Sequence, residues 1–147
     1  MLTRLLPDQV PTYWDAIKYG IVKSVSKEKV LTTEDLNNIL KNILSGVADA
    51  WIAWGDVEGE RKLYGILVTY ATFDPCSDRK NLVIYAIYGY AVAPMELWQD
   101  GMETLKKFGK KLGCNNLLGY TSAEILEKRM HVLGFEEVSK ILSCKIN

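Results

Sequence analysis

The chain has 147 residues, of which 48% are apolar and 24% charged, the balance of one folded domain with a substantial core. Eighteen Lys and Arg offset 18 Asp and Glu, so the formal net charge is zero, which excludes a nucleic-acid binder working through bulk positive charge. A single histidine excludes a His-rich metal site, and no metal ligand set is expected. Cys76, Cys114 and Cys144 are far apart and lack metal-ligand spacing; they read as free thiols in a reducing compartment. No stretch has signal-peptide form, and no apolar run approaches the ~20 residues that cross a bilayer. The expectation is a cytoplasmic protein that does not contact a membrane.

Leu2 to Leu6 is a short apolar stretch stopped by Pro7 and reads as an edge strand. Trp14, Ile17, Ile21 and Val25 recur at helical spacing and predict a helix over Pro11–Val25, followed by the polar connection Lys27, Glu28, Lys29. Thr32 and Asp35 are placed to form a variant capping box, and Leu31 with Leu36 a hydrophobic staple. Leu36, Ile39, Leu40, Ile43 and Leu44 make the core stripe of that helix, and Gly46 ends it.

The middle of the chain reads as an antiparallel meander: Ala50–Trp54, a polar turn over Gly55–Arg61, Leu63–Phe73, a loop containing Asp74, Pro75, Ser77 and Asp78, and Leu82–Val92. A crossover helix follows over Leu97–Leu112, with Met102, Leu105, Phe108 and Leu112 inward and Gly113 as its stop. Asn116–Tyr120 is the next strand. Thr121 with Glu124 predicts a second capping box, opening a helix that turns Ile125, Leu126, Met130 and Leu133 inward and stops at Gly134. Phe135–Ile146 reads as a last strand. The order is β-α-α-β-β-β-α-β-α-β, a single α/β domain over 1–147 with a mixed sheet, parallel around the crossover helix.

Several side-chain groups invite a functional reading. Lys106, Lys107, Lys110 and Lys111 form a basic patch that complements a helix C-terminus, with Glu103 paired to Lys107. Alternation places Tyr64 with Tyr70, and Tyr88 with Tyr90, on common strand faces that line a cleft, meet a partner or simply pack the sheet. Trp98, read as belonging to the loop beside Pro94 and Leu97, forms with Met95 and Leu97 an apolar cluster at the head of the crossover helix, a plug or an interface for a protein partner. His131 reads as a surface or boundary residue, and one histidine supports no Ser–His–Asp arrangement.

The element order resembles the GCN5-related N-acetyltransferase (GNAT) fold. Gly65 early in the second meander strand, Ala91-Val92-Ala93-Pro94, Lys111-Leu112-Gly113-Cys114 and Leu133-Gly134-Phe135-Glu136 resemble that family's strand and helix ends. The first half, with YWDAIKYGI and LTTEDL, resembles small acetyltransferase-like proteins of bacteriophages. The resemblance implies acetyl-CoA held between the fourth and fifth strands, its pantetheine arm on the backbone of Tyr90, Ala91, Val92 and Ala93, and its diphosphate at the N-terminus of the central helix.

Two departures weigh against activity. No Lys or Arg occurs between Ala91 and Leu105, while Glu96, Asp100 and Glu103 do; each carboxylate within about 6–8 Å of a diphosphate opposes it by roughly 1–2 kcal/mol before screening. The position at which the family carries a general-acid tyrosine is Met130, leaving Tyr120 or Tyr90 as substitutes. The sequence therefore predicts a GNAT-fold protein without acetyl transfer and without a cofactor. Its predicted role is a structural or assembly component, such as a bacteriophage virion protein bound to other virion proteins or to itself. The alternative is an active acetyl-CoA-dependent N-acetyltransferase with an atypical cofactor loop.

Overall fold

The computed structural model describes residues 1–25, 30–121 and 123–146. Five strands and four helices follow one another as β1 (Leu2–Arg4), α1 (Val10–Ser24), α2 (Thr33–Leu44), β2 (Ala48–Val57), β3 (Glu60–Asp74), β4 (Arg79–Gly89), α3 (Met95–Lys111), β5 (Asn116–Gly119) and α4 (Glu124–Val132). The strands form one sheet in the order β1-β2-β3-β4-β5, antiparallel through β4 and parallel between β4 and β5. This is the α/β mixed sheet that the sequence predicts. The polar connection Lys27, Glu28, Lys29 lies outside the described residues.

Each helix end has a local cause. Thr32 Oγ1 accepts from the Asp35 N–H at 3.1 Å and Asp35 Oδ2 accepts from the Thr32 N–H at 2.9 Å, completing the predicted capping box of α2. Leu31 and Leu36 both pack in the core beneath it, whereas Leu44 stays exposed. Lys80 on β4 reaches across to donate from Nζ to the Leu112 carbonyl at 2.8 Å, serving the C-terminus of α3. Glu103 pairs with Lys106 at 3.4 Å, one residue short of the expected Lys107.

The sheet carries a core on each face. On one, α1 and α2 bury Val10, Ile17, Ile21, Leu36 and Ile43 against Ala50, Ile66, Val68 and Ala86. Gly20 lets α1 approach closely: a Cβ there would lie 2.4 Å from Ile66 Cγ1. On the other face, α3 brings Leu105 onto Trp51, Leu67 and Ile84, with Phe108 edge-on to Trp51 at 5.0 Å. The Trp51 indole N–H donates to Thr69 Oγ1 at 2.9 Å inside this layer, and Thr69 has no exposed surface.

Four expectations need correction. The predicted seven-residue turn over Gly55–Arg61 is a two-residue turn: β2 and β3 pair out to Val57 and Glu60, and Glu58 (φ 52°) and Gly59 (φ 81°) make the reversal. The polarity there marks a solvent-exposed ladder, not a loop. Thr121 forms no capping box with Glu124; α4 starts after Ala123, whose N–H donates to Thr121 Oγ1 at 3.0 Å. Ile125 is exposed rather than inward, although Leu126, Met130 and Leu133 do face the protein. The predicted strand over Phe135–Ile146 is not formed among the described residues, and the sheet ends at β5.

The Trp51–Thr69 bond yields a prediction. Trp51→Phe strips the buried hydroxyl of its partner and is expected to cost about 1–3 kcal/mol in denaturant unfolding beyond the lost ring volume. Adding Thr69→Val should recover part of that loss; a strictly additive double variant would show that the bond contributes nothing.

Candidate functional site: a cleft between diverging strands

The site begins with one extra residue. Val68 of β3 faces Ala86 of β4, but its neighbour Thr69 faces Ile84, so Tyr85 is inserted into β4 as a β-bulge. A bulge bends the strand that carries it and increases its twist. The parallel ladder of β4 with β5 ends at the same point: Asn81–Asn116, Leu82–Leu117, Val83–Leu118 and Ile84–Gly119 pair, and nothing pairs beyond them among the described residues. From Tyr85 to Gly89, β4 therefore carries an open backbone edge on the side from which β5 has departed.

A cleft of about 120 Å³ occupies this wedge. Its floor is the sheet, at Leu67, Ile84 and Ile87, and its roof is α3, at Leu97, Trp98, Met102 and Leu105. Gly119 and Tyr120 end its β5 wall, and Leu126, Met130, Leu133 and Phe135 close it from α4 and the segment after it. The lining is almost wholly apolar, although Tyr64, Tyr88 and Tyr120 contribute to it, and the Tyr88 ring itself packs on the α1 side against Tyr19. Gly65 sits in the floor because a Cβ there would fall 2.5 Å from the Tyr88 carbonyl oxygen.

The predicted site residues divide. β4 stops at Gly89, so Tyr90, Ala91, Val92 and Ala93 form the link into α3 rather than the strand end. Ala91 and Ala93 line the cleft, but Val92 is 91% exposed and does not. The Tyr90 N–H is already bonded to the Tyr64 carbonyl at 2.8 Å, and its hydroxyl donates to the Ala16 carbonyl of α1. Tyr90 thus ties the link to α1, stacks on Tyr19 and packs edge-on to Tyr88, which removes it as a proton donor to the cleft. Tyr120 stands at the mouth of the cleft, 58% exposed. Trp98 is not in a loop: with Met95 and Leu97 it forms the first turn of α3, and Leu97 and Trp98 line the cleft roof.

The electrostatics also differ from the sequence expectation. Of the three acidic residues only Glu96 lies in the first turn of α3. Asp100 meets the N-terminal ammonium of Met1 at 3.6 Å, and Glu103 is held by Lys106. A cation approaches α3 from α4: the Arg129 guanidinium lies over the Trp98 ring, 5.3 Å from its centroid. Trp98 and Arg129 are far apart in sequence and carry no motif, so only the packing of α4 on α3 reveals the pair. The position expected for a general acid is filled by Met130, whose side chain covers Gly119 so closely that a Cβ there would meet Met130 Cε at 2.2 Å. His131 is exposed, with Nε2 3.7 Å from Glu127 and Nδ1 3.0 Å from the Phe135 carbonyl oxygen, and takes no part in the cleft.

No cluster of three or more His, Cys, Asp or Glu side chains is placed to hold a metal ion among the described residues. No helix among them is long and apolar enough to cross a membrane.

Comparison with known proteins agrees with this geometry. No family model matches the chain, and no curated protein does. Solved structures match over its full length. AAC(6')-Iy in complex with the bisubstrate analogue CoA-S-monomethyl-acetylneamine superposes with a TM-score of 0.73 at 14% identity, covering 100% of this chain and 97% of that one. A predicted acetyltransferase with acetyl-CoA from Clostridium acetobutylicum gives 0.70 at 9% identity, covering 99% and 95%. The aminoglycoside acetyltransferase meta-AAC0020 from an uncultured soil metagenomic sample, in complex with sisomicin, gives 0.68 at 12%, covering 100% and 95%. The chain has the fold of the GCN5-related N-acetyltransferases.

The tyrosines predict an alkaline limit to stability. Burial raises the Tyr90 phenol above its ordinary value, assisted by Tyr88 and Tyr19. Burial likewise raises Tyr70, with Tyr120 adding to it, and Tyr85, with Tyr70 and Asp35 adding to it. A pKa raised in the folded state means that folding favours the neutral phenol. That contribution is complete below the unfolded value of about 10 and is lost as pH rises through the folded value. Tm should therefore stay level as far as these groups act up to about pH 9 and fall above about pH 10. Tyr90→Phe should soften that fall while costing about 1 kcal/mol at neutral pH through the lost bond to Ala16.

Proposed function

We propose that this protein is an acetyl-CoA-dependent N-acyltransferase whose cofactor arm lies in the wedge between β4 and β5. The observation that carries the reading is the open β4 edge at Tyr85–Gly89, facing an apolar cleft roofed by α3. An extended amide-bearing arm is the ligand that such an edge takes, adding to the sheet as a strand would. The solved structures of this fold that carry CoA, acetyl-CoA or a CoA bisubstrate analogue support the same choice.

The residues present fit that ligand. The N-terminal turn of α3 has no side-chain cap, and Arg129, over the Trp98 ring of that turn, would supply a cation for the diphosphate. With acetyl-CoA bound, acyl transfer would form a bond from the acceptor amine nitrogen to the acetyl carbon, break the carbon–sulfur bond and release one amine proton to solvent. The departing thiolate takes a proton, and Tyr120 is the cleft hydroxyl open to both solvent and ligand.

One observation favours a second reading, a protein of this fold without acetyl transfer that works within an assembly. Met130 covers Gly119 where a proton donor would serve the leaving group.

Titration of purified protein with acetyl-CoA separates the two. Binding with a rise in Tm is expected, and the absence of both binding heat and thermal shift would sink the cofactor reading. Arg129→Ala is expected to weaken binding by about 10-fold or more, the scale of one charge-assisted contact. Tyr120→Phe should leave binding unchanged and lower kcat toward amine acceptors by about 10²-fold.

A further inference from the structure

We propose that Met130 selects the acyl group of the donor thioester, its side chain filling the apex of the wedge so that an acetyl group fits and a longer acyl chain does not. The inference rests on the cofactor reading above and gives a role to a residue which that reading leaves without one.

The apex is the point at which the β4–β5 ladder stops. Ile84 and Gly119 are its last pair. The walls on the sheet and on α3 are fixed by burial: Ile84, Leu67 and Leu105 are almost wholly enclosed and pack on one another. Gly119 brings no side chain of its own. Met130 of α4 takes that place instead, and a Cβ on Gly119 would collide with its Cε. Met130 also lines the cleft.

The backbone of Met130 is held while its side chain can adapt. Its carbonyl accepts from the Leu133 and Phe135 N–H groups, both at 3.0 Å, closing the C-terminus of α4. Phe135 is anchored in turn against the cluster around Trp51, Leu67, Ile84 and Leu105. The side chain itself is a half-buried, unbranched thioether, the kind that fills irregular apolar space.

The apex is also where an acyl group would arrive. An arm whose diphosphate meets the first turn of α3 starts near Gly89, the end of β4 from which the link to α3 departs. Following the bare edge from Gly89 to Tyr85, it runs out of open backbone at Ile84, opposite Gly119. An acyl chain carried on that arm then meets Met130. The lining there is apolar, so the wall reads an acyl chain by its length, through the space left for it.

Isothermal titration with CoA, acetyl-CoA and butyryl-CoA tests this without an acceptor. The native chain should bind acetyl-CoA about 10-fold or more tightly than butyryl-CoA, the scale on which an apolar pocket reads a methylene. Met130→Ala should bring butyryl-CoA level with acetyl-CoA or ahead of it, with the affinity for CoA, which carries no acyl group, unchanged. Met130→Leu, of similar volume, should keep the native order. A residue that served packing alone would change stability and leave the order of the donors as it was. Gly119→Ala gives a second reading should Met130→Ala fold poorly: the added Cβ narrows the apex, so acetyl-CoA should weaken by about 10-fold relative to CoA. A native chain that binds the two thioesters alike or prefers butyryl-CoA overturns the inference and leaves the cofactor reading standing. So does a Met130→Ala variant that keeps the native order, or a Gly119→Ala variant that binds acetyl-CoA as the native chain does. No binding of any of the three ligands overturns both.

Discussion

The inserted residue at Tyr85 governs the shape of this molecule. A parallel pair held in strict register would have kept β4 and β5 together along the sheet. With one residue too many on β4, the ladder stops at Ile84–Gly119, and the rest of β4 runs on with one edge bare. The cleft, the exposed backbone groups and the span that α3 must roof all follow from that parting. It also explains why the cleft is apolar: its floor is the face of the sheet that would have been core had β5 continued.

The two faces of the sheet are unequally held. The α1–α2 face is a dense layer in which Ile17, Ile21, Ile66 and Val68 lose nearly all their exposure, and Gly20 brings a helix backbone close onto β3. The α3 face buries Leu105 and Gly109 of its helix, with Phe108 against Trp51, while α4 buries no residue completely. The Arg129–Trp98 contact joins α4 to the roof, placing a positive charge over a ring of the first turn of α3.

Much of the architecture was legible because it is written in local patterns. The Thr32–Asp35 capping box, the glycine stops at Gly46, Gly113 and Gly134, and the apolar periods of α1 to α3 all report short-range physics. Misreadings arose where local pattern and hydrogen bonding part company. Polarity over Gly55–Arg61 suggested a loop, but an exposed hairpin ladder is equally polar. Trp98 looked like part of a loop after Pro94, although proline is an acceptable start to a helix and Pro94 is the residue from which α3 departs. The alternation over Phe135–Ile146 suggested a strand, but no strand forms there among the described residues, and alternation along one segment cannot show that a neighbour pairs with it.

The site was less legible than the fold. The sequence by itself determined the α/β order and the antiparallel-then-parallel sheet, since each depends on residue type and near spacing. Only the tertiary structure decided where charge and space lie around the cleft. It sent Asp100 to the N-terminus and Glu103 to Lys106, brought Arg129 to Trp98, turned the Tyr90 hydroxyl to α1 and left Tyr120 at the mouth. The bulge at Tyr85 belongs to the same class. Register is a relation between strands, and a count of residues along one strand cannot show which residue its neighbour leaves unpaired.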